Sequence, residues 1–148
     1  AQTRMDNLLS ANYTEQQLDA VLSPYDPISL GVISSLKGIG YGSDELPIPV
    51  ITGQDATVAG VQSIIKGEQT QTIFKNTQEL GIITAGMIEA LENGEEVQVN
   101  DTETYDNGSK VVPTYMAEPI SVDIDNFYEE LIEKTGYYTP ETLGIEAR

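Results

Sequence analysis

Apolar positions along this chain follow two spacings in turn. Short continuous runs, Leu18 to Leu22, Ile48 to Ile51 and Thr70 to Phe74, read as strands. The stretches that follow them carry an apolar residue every third or fourth position, as helices do: Ile28, Val32, Ile33 and Leu36; Val58, Val61, Ile64 and Ile65; Leu80, Ile83, Met87 and Leu91. Met5, Leu8 and Leu9 share a helical face too, so the chain is expected to begin inside a helix. Strand–helix alternation builds a parallel sheet, so the expected fold is α/β: a Rossmann-like, three-layer arrangement of a parallel sheet flanked by helices.

Polar residues predict where these elements start and stop. Asp26-Pro27 opens a helix, with Asp as N-cap and Pro at N1, and Lys37-Gly38 to Gly42 closes it. Asp55 can cap the next helix, and Lys66-Gly67 ends it with a cation and a glycine. Asn76 with Glu79 three residues on resembles a capping box, and Asn93-Gly94 stops the longest helix. Ile48-Pro49-Val50-Ile51 is apolar throughout, as in a strand covered on both faces, although Pro49 cannot donate to a central ladder. Val97-Gln98-Val99 and Val111-Val112-Pro113-Thr114-Tyr115 read as extended pieces around the turn Asp106-Asn107-Gly108. A last amphipathic helix around Phe127, Leu131 and Ile132 follows Asp125, and a polar tail closes the chain.

Composition narrows the function classes. A chain of 148 residues suits one domain, and no run of eighteen apolar residues is present to span a membrane. Its first residues carry no secretory leader. Seven Lys and Arg against 24 Asp and Glu give a net charge of −17, which repels nucleic acid phosphates and anionic lipid. That acidity suits an extracellular or cell-envelope location. The absence of cysteine excludes disulfides and thiol catalysis and leaves the redox compartment open.

Each strand-like run ends in polar residues: Ser23-Pro24-Tyr25-Asp26, Gly53-Gln54-Asp55 and Lys75-Asn76. Open α/β sheets bind ligands beyond the carboxyl ends of their strands, which would gather these groups at one edge. They offer carboxylates, an amine, an amide and a phenol, with no imidazole or thiol. That set holds a hydroxylated molecule rather than transforming it, and it implies neither a cofactor nor a metal. Asp55 is either a plain helix cap or, freed by an unusual backbone angle at Gly53, a carboxylate that accepts from two adjacent hydroxyls. Lys75 is either a solvated lysine or, beside Asp55, a donor that fixes its orientation. Asp26 reads first as the cap before Pro27, and Tyr25 offers a ring face or a hydroxyl.

Gly53-Gln54-Asp55-Ala56, Gly60-Val61, Lys66-Gly67-Glu68-Gln69-Thr70 and Thr72-Ile73-Phe74-Lys75 resemble the periplasmic sugar-binding proteins of ABC transporters, nearest the xylose and multiple-sugar branch. Tyr105-Asp106-Asn107-Gly108, Val111 to Tyr115 and Gly136-Tyr137-Tyr138-Thr139 are similar to that branch too. The resemblance runs in order along almost the whole chain. It implies a two-lobed protein closing on one monosaccharide, a pentose or hexose, and passing it to ABC permease subunits. It implies a periplasmic or extracellular location, with a lipid anchor possible in the full-length precursor. Asp55 and Lys75 match sugar-binding positions of the family. Tyr25 stands where an asparagine is usual, Asp26 matches beside it, and Gln54 adds an amide or faces the hinge.

The chain matches only the carboxyl-terminal half of a family member, so it is expected to be a fragment. Residues 1–75 would belong to the carboxyl-terminal lobe. Residues 76–112 would cross to pack on the missing amino-terminal lobe, and 113–148 would hold a return strand and the last helix. Leu80, Ile83, Met87 and Leu91 then need cover from that lobe, or from a second copy in a homodimer.

Three other readings were open. A sugar-responsive transcription regulator shares this fold but needs a DNA-binding segment that is absent here. A receiver-like phosphoacceptor domain needs an acidic pair where only Asp26 stands. A glycosidase needs two carboxylates, Asp26 and Asp55, at a catalytic separation of roughly 5–10 Å. The resemblance favours a binding protein without enzymatic activity.

Overall fold

A computed structural model describes residues 1–147. Its elements run α1 (Gln2–Asn12), β1 (Ala20–Val21), α2 (Asp26–Gly38), β2 (Val50–Ile51), α3 (Val58–Ile65), β3 (Gln71–Phe74), α4 (Thr77–Asn93), β4 (Ile120–Asp123), a π-helix (Glu129–Lys134) and α5 (Pro140–Leu143). They divide into two compact units. One holds Ala1–Phe74 and the chain from Ile120 onward, and the other holds Lys75–Pro119.

In the first unit the expected parallel order holds for three strands. β1 pairs parallel with β2, Ala20 opposite Val50 and Val21 opposite Ile51. Past Ile51 the chain continues alongside β3, through a parallel bridge between Gln54 and Ile73 and a bond from the Thr70 amide to the Ile51 carbonyl. β4 then pairs antiparallel with β3, Phe74 opposite Ile120, which adds an antiparallel edge to the predicted parallel sheet.

The strands are shorter than the apolar runs. Leu22, predicted as strand, is 91% exposed, and Pro49 lies outside β2, as its missing N–H requires. Ile51 is fully buried while Val50 is exposed, so β2 is covered on one face rather than both.

Two apolar clusters hold this unit together. Met5 and Leu9 of α1 pack with Val32, Ile33 and Leu36 of α2, with Tyr41 and with Ile51. Leu8 and Ile28, expected in the inward stripes, are exposed. The second cluster joins Val61, Phe74 and Val122 to Phe127, Tyr128, Leu131 and Leu143. The expected last helix is therefore the π-helix that carries Leu131. The tail is not merely polar, because Leu143 of α5 is buried.

In the second unit Asn76 caps α4, its side chain accepting from the Glu79 amide at 3.1 Å, and Gly94 ends the helix at φ 72°. The box is half-formed: the Glu79 carboxylate accepts from the Tyr115 hydroxyl instead of reaching back. No residue of α4 is buried. Leu80, Ile83 and Met87 are half-buried, Leu91 is 67% exposed and Ile82 72%. The extended pieces meet at two antiparallel bridges, Asp101 with Thr114 and Asp106 with Val111. Asn100 bonds Met116 in both directions, so residues 113–119 stay in this unit and the return strand begins at Ile120.

Candidate functional site

The carboxyl ends of β1, β2 and β3 are tied together by side chains rather than by longer ladders. The Ser23 amide donates to the Thr52 hydroxyl at 2.9 Å, and that hydroxyl donates back to the Ser23 carbonyl at 3.0 Å. Ser29, one turn into α2, reaches both the Ser23 hydroxyl and the Thr52 carbonyl at 2.8 Å. A cleft of about 570 Å³ opens against these ends, lined by residues that include Leu22, Pro24, Thr52, Gly53, Gln54 and Ile73. A larger cavity of about 750 Å³ lies against α1 and α2, lined by Leu9, Tyr13, Ser35 and Tyr41 among others, and holds none of the predicted site residues.

Asp26 corrects the sequence reading twice. It does not cap its own helix: Tyr25 holds the N-cap position, and no side chain caps there. Nor is its carboxylate available to a ligand, because the residue is fully buried and both oxygens are occupied. Oδ2 accepts from the Thr57 amide at 2.8 Å and the Thr57 hydroxyl at 3.2 Å. Oδ1 accepts from Gln69 Nε2 at 2.9 Å and from the Thr72 hydroxyl at 2.8 Å. A buried charge is tolerated when hydrogen bonds replace its water, and here they clamp α2, α3 and β3 together.

Two glycines make room for it. A Cβ at Gly53 would stand 2.2 Å from Asp26 Oδ1, and one at Gly60 2.2 Å from Oδ2. Gly53 therefore serves close approach, not the unusual backbone angle expected of it. That angle falls instead on two non-glycine residues beyond Gln54, Asp55 at φ 85° and Ala56 at φ 43°.

Asp55 is not the cap of α3 either. Thr57 is, its hydroxyl accepting from the Gly60 amide at 3.1 Å. Both amides of this pair and the second carbonyl are held. The Asp55 amide donates to the Ile73 carbonyl at 2.8 Å, the Ala56 amide to the Thr72 hydroxyl at 3.1 Å, and the Ala56 carbonyl accepts from the Tyr138 hydroxyl at 2.9 Å. Left-handed non-glycine residues cost about 1–3 kcal/mol each and persist only where surroundings over-determine them. The result is an exposed carboxylate at the strand ends on a rigid backbone.

The other predicted residues fall as follows. Tyr25 is 41% exposed at the start of α2, and Gln54 is half-buried in the cleft wall, its carbonyl accepting from the Asp26 amide at 3.1 Å. Lys75 is exposed and directly follows β3. Thr57, Gln69, Thr72 and Tyr138 escaped the sequence reading. Only the burial of alternate strand positions pointed to Thr72, and nothing local pointed to the rest. Burial pushes the Tyr138 phenol above its ordinary value, with Tyr137 and the charge of Asp26 adding to the shift. Among the described residues no group of three or more carboxylates is placed to hold a metal ion, and no helix is long and apolar enough to cross a membrane.

Comparison with known proteins gives a consistent result. The model of a periplasmic binding protein domain matches residues 1–96. The multiple sugar-binding periplasmic protein SbpA of Azospirillum brasilense is 58% identical over 139 residues, covering 94% of this chain and 38% of that protein. The multiple sugar-binding periplasmic receptor ChvE of Rhizobium radiobacter is 53% identical over 143 residues, covering 97% and 40%. An ABC transporter solute-binding protein from Clostridium phytofermentans, solved with bound β-D-glucose, is 40% identical at a TM-score of 0.84, over 96% of this chain and 43% of that one. The chain thus spans about two fifths of the length of these relatives.

Proposed function

The chain belongs to the periplasmic binding protein domain family, and on that premise we propose that it forms part of a receptor that binds a monosaccharide and hands it to an ABC importer. The observation that carries this reading is the exposed Asp55 carboxylate, held on two successive left-handed residues at the strand ends. A rigid carboxylate accepts from neighbouring sugar hydroxyls without the entropy cost of ordering it first. Gln54 adds an amide from the cleft wall, and Tyr25 presents ring or hydroxyl. Lys75 enters through the family resemblance, as the residue after β3 that donates to sugar oxygens. Asp26 supports the site from beneath. The ligand is a hexose or pentose, as the glucose in the Clostridium phytofermentans protein suggests.

Binding without turnover agrees with the carboxylates. Hydrolysis of a glycosidic bond needs two that reach the substrate, and Asp26 is sealed under the loop that carries Asp55. The names of the two relatives, both periplasmic, support a periplasmic location. The permease of the importer is the protein partner, and the exposed apolar face of α4 is assigned to burial against the part of such a receptor that this chain does not span.

Titration calorimetry tests the site on protein extended to the length of the relatives, with D-glucose, D-xylose, D-galactose and L-arabinose. Asp55→Ala is expected to weaken the bound sugar at least about tenfold, some 1.4 kcal/mol, while the unfolding midpoint stays put. Unchanged affinity would remove Asp55 from the site.

A further inference from the structure

The loop that carries Asp55 has one anchor from far along the chain. The Asp55, Ala56 and Thr57 amides are held by β3 and Asp26, which the fold cannot lose. The Ala56 carbonyl is held by Tyr138, whose hydroxyl donates to it at 2.9 Å across 82 positions. We propose that Tyr138 is a positioning residue for ligand binding, its hydroxyl holding the Ala56 peptide so that the Asp55 carboxylate keeps the geometry that grips a sugar. This deepens the reading of Asp55 as a sugar-binding group and rests on it.

The placement of the ring is over-determined, as a positioning role requires. Tyr138 packs edge-on against Tyr137 at 5.0 Å between centroids, and Tyr137 packs edge-on against Phe74, the last residue of β3, at 4.8 Å. The Tyr138 amide donates to the Leu131 carbonyl at 3.0 Å, which ties it to the π-helix. Thr139 next to it caps α5, whose Leu143 shares a core cluster with Ala56. The hydroxyl therefore reaches Ala56 from a frame built of β3, the π-helix and α5.

Ala56 is fully buried, so its carbonyl finds no water if the hydroxyl is removed. The peptide it belongs to follows the second of the two residues of positive φ, and its N–H, on Thr57, donates to Asp26 Oδ2. A strained pair that loses one of its constraints relaxes towards ordinary backbone angles, and that rotation swings the Asp55 side chain. Burial holds the phenol protonated beyond its ordinary range, so the donor persists across neutral pH.

The test uses the full-length protein that carries this chain, with D-glucose and D-xylose as probes. Tyr138→Phe removes one oxygen and keeps the ring. It is expected to weaken sugar binding about three- to tenfold, the range of one net hydrogen bond. It should also speed hydrogen exchange at the Ala56 and Thr57 amides in the sugar-free protein.

A double-mutant cycle separates positioning from general support. In an Asp55→Ala background Tyr138→Phe should cost no further affinity, whereas a merely structural role would weaken both backgrounds equally. Wild-type affinity in Tyr138→Phe while Asp55→Ala loses binding overturns the proposal and leaves the Asp55 site standing. Full affinity in Asp55→Ala overturns the site itself and the proposal with it. Unchanged exchange at Ala56 and Thr57 overturns the proposal without reference to any sugar.

Discussion

Asp26 joins α2, α3 and β3 through one buried carboxylate, and its substitution is the sharpest test of how the strand ends are held. Asp26→Ala strands the Thr57 amide and the Thr72 hydroxyl and leaves Gln69 Nε2 with the Gln71 carbonyl alone. Buried donors left unpaired cost about 1–3 kcal/mol each, so a loss of roughly 3–5 kcal/mol is expected in urea unfolding. Asp26→Asn should err in the same direction by less, because its amide would meet donors already in place. A loss under about 1 kcal/mol in Asp26→Ala would mean that the network is incidental. The Asp-Pro pair did mark a helix start, as Pro27 inside α2 shows, but local spacing could not see partners 31, 43 and 46 positions away. The cap alternative for Asp55 fails for a related reason: Thr57, two residues on, both caps α3 and bonds Asp26. Tyr138 adds a test by pH. Its folded phenol is raised above the ordinary value of 10.0, so the unfolded chain gives up the proton first. Stability is therefore full below that value and declines as pH rises from it through the folded value. Wild type should lose more than Tyr138→Phe in thermal unfolding between about pH 9 and 11, and equal losses would contradict the shift.

At the scale of elements, local signals were legible and remote pairings were not. Asn76 and Gly94 bound α4 as the sequence said, because a cap and a left-handed stop are decided within one turn. The same helix shows what such signals leave out, since its apolar stripe is not buried. β4 pairs antiparallel across 45 or more intervening positions, and the two-residue strands β1 and β2 depend on hydroxyls at their ends that no apolar run encodes. A helix without a buried face leans on its caps, so α4 should respond to them fully. Asn76→Ala should cost about 1 kcal/mol of helix stability. In native-state hydrogen exchange its effect should stay within residues 77–93, and α4 amides should exchange faster than those of α2 and α3 in this chain. Protection of α4 equal to that of α3 would show that its apolar face is covered in solution.

The alternation of runs and stripes was enough to place the whole molecule in the α/β class, since it reports layer architecture directly. The division at Phe74 and Ile120 is not written in that alternation, and it was the family resemblance that put boundaries after residues 75 and 112. What composition does govern is the response of the molecule to salt. A net charge of −17 over 148 residues makes the folded chain repel itself, and folding brings those charges closer. Against this stand exposed ion pairs, Lys37 with Glu68 and Lys134 with Glu129 and Glu130, of a kind worth little in water. The two effects respond to salt with opposite sign. Screening relieves repulsion among 24 acidic side chains and weakens a few attractions, so the first should prevail. Raising sodium chloride from about 10 to 150 mM shortens the screening length from roughly 30 to 8 Å, and the thermal midpoint should rise by several degrees. Lys134→Met should enlarge that rise by removing attractions that salt would otherwise weaken. A midpoint that falls with salt would mean that specific pairing, not net charge, sets the electrostatics of the fold.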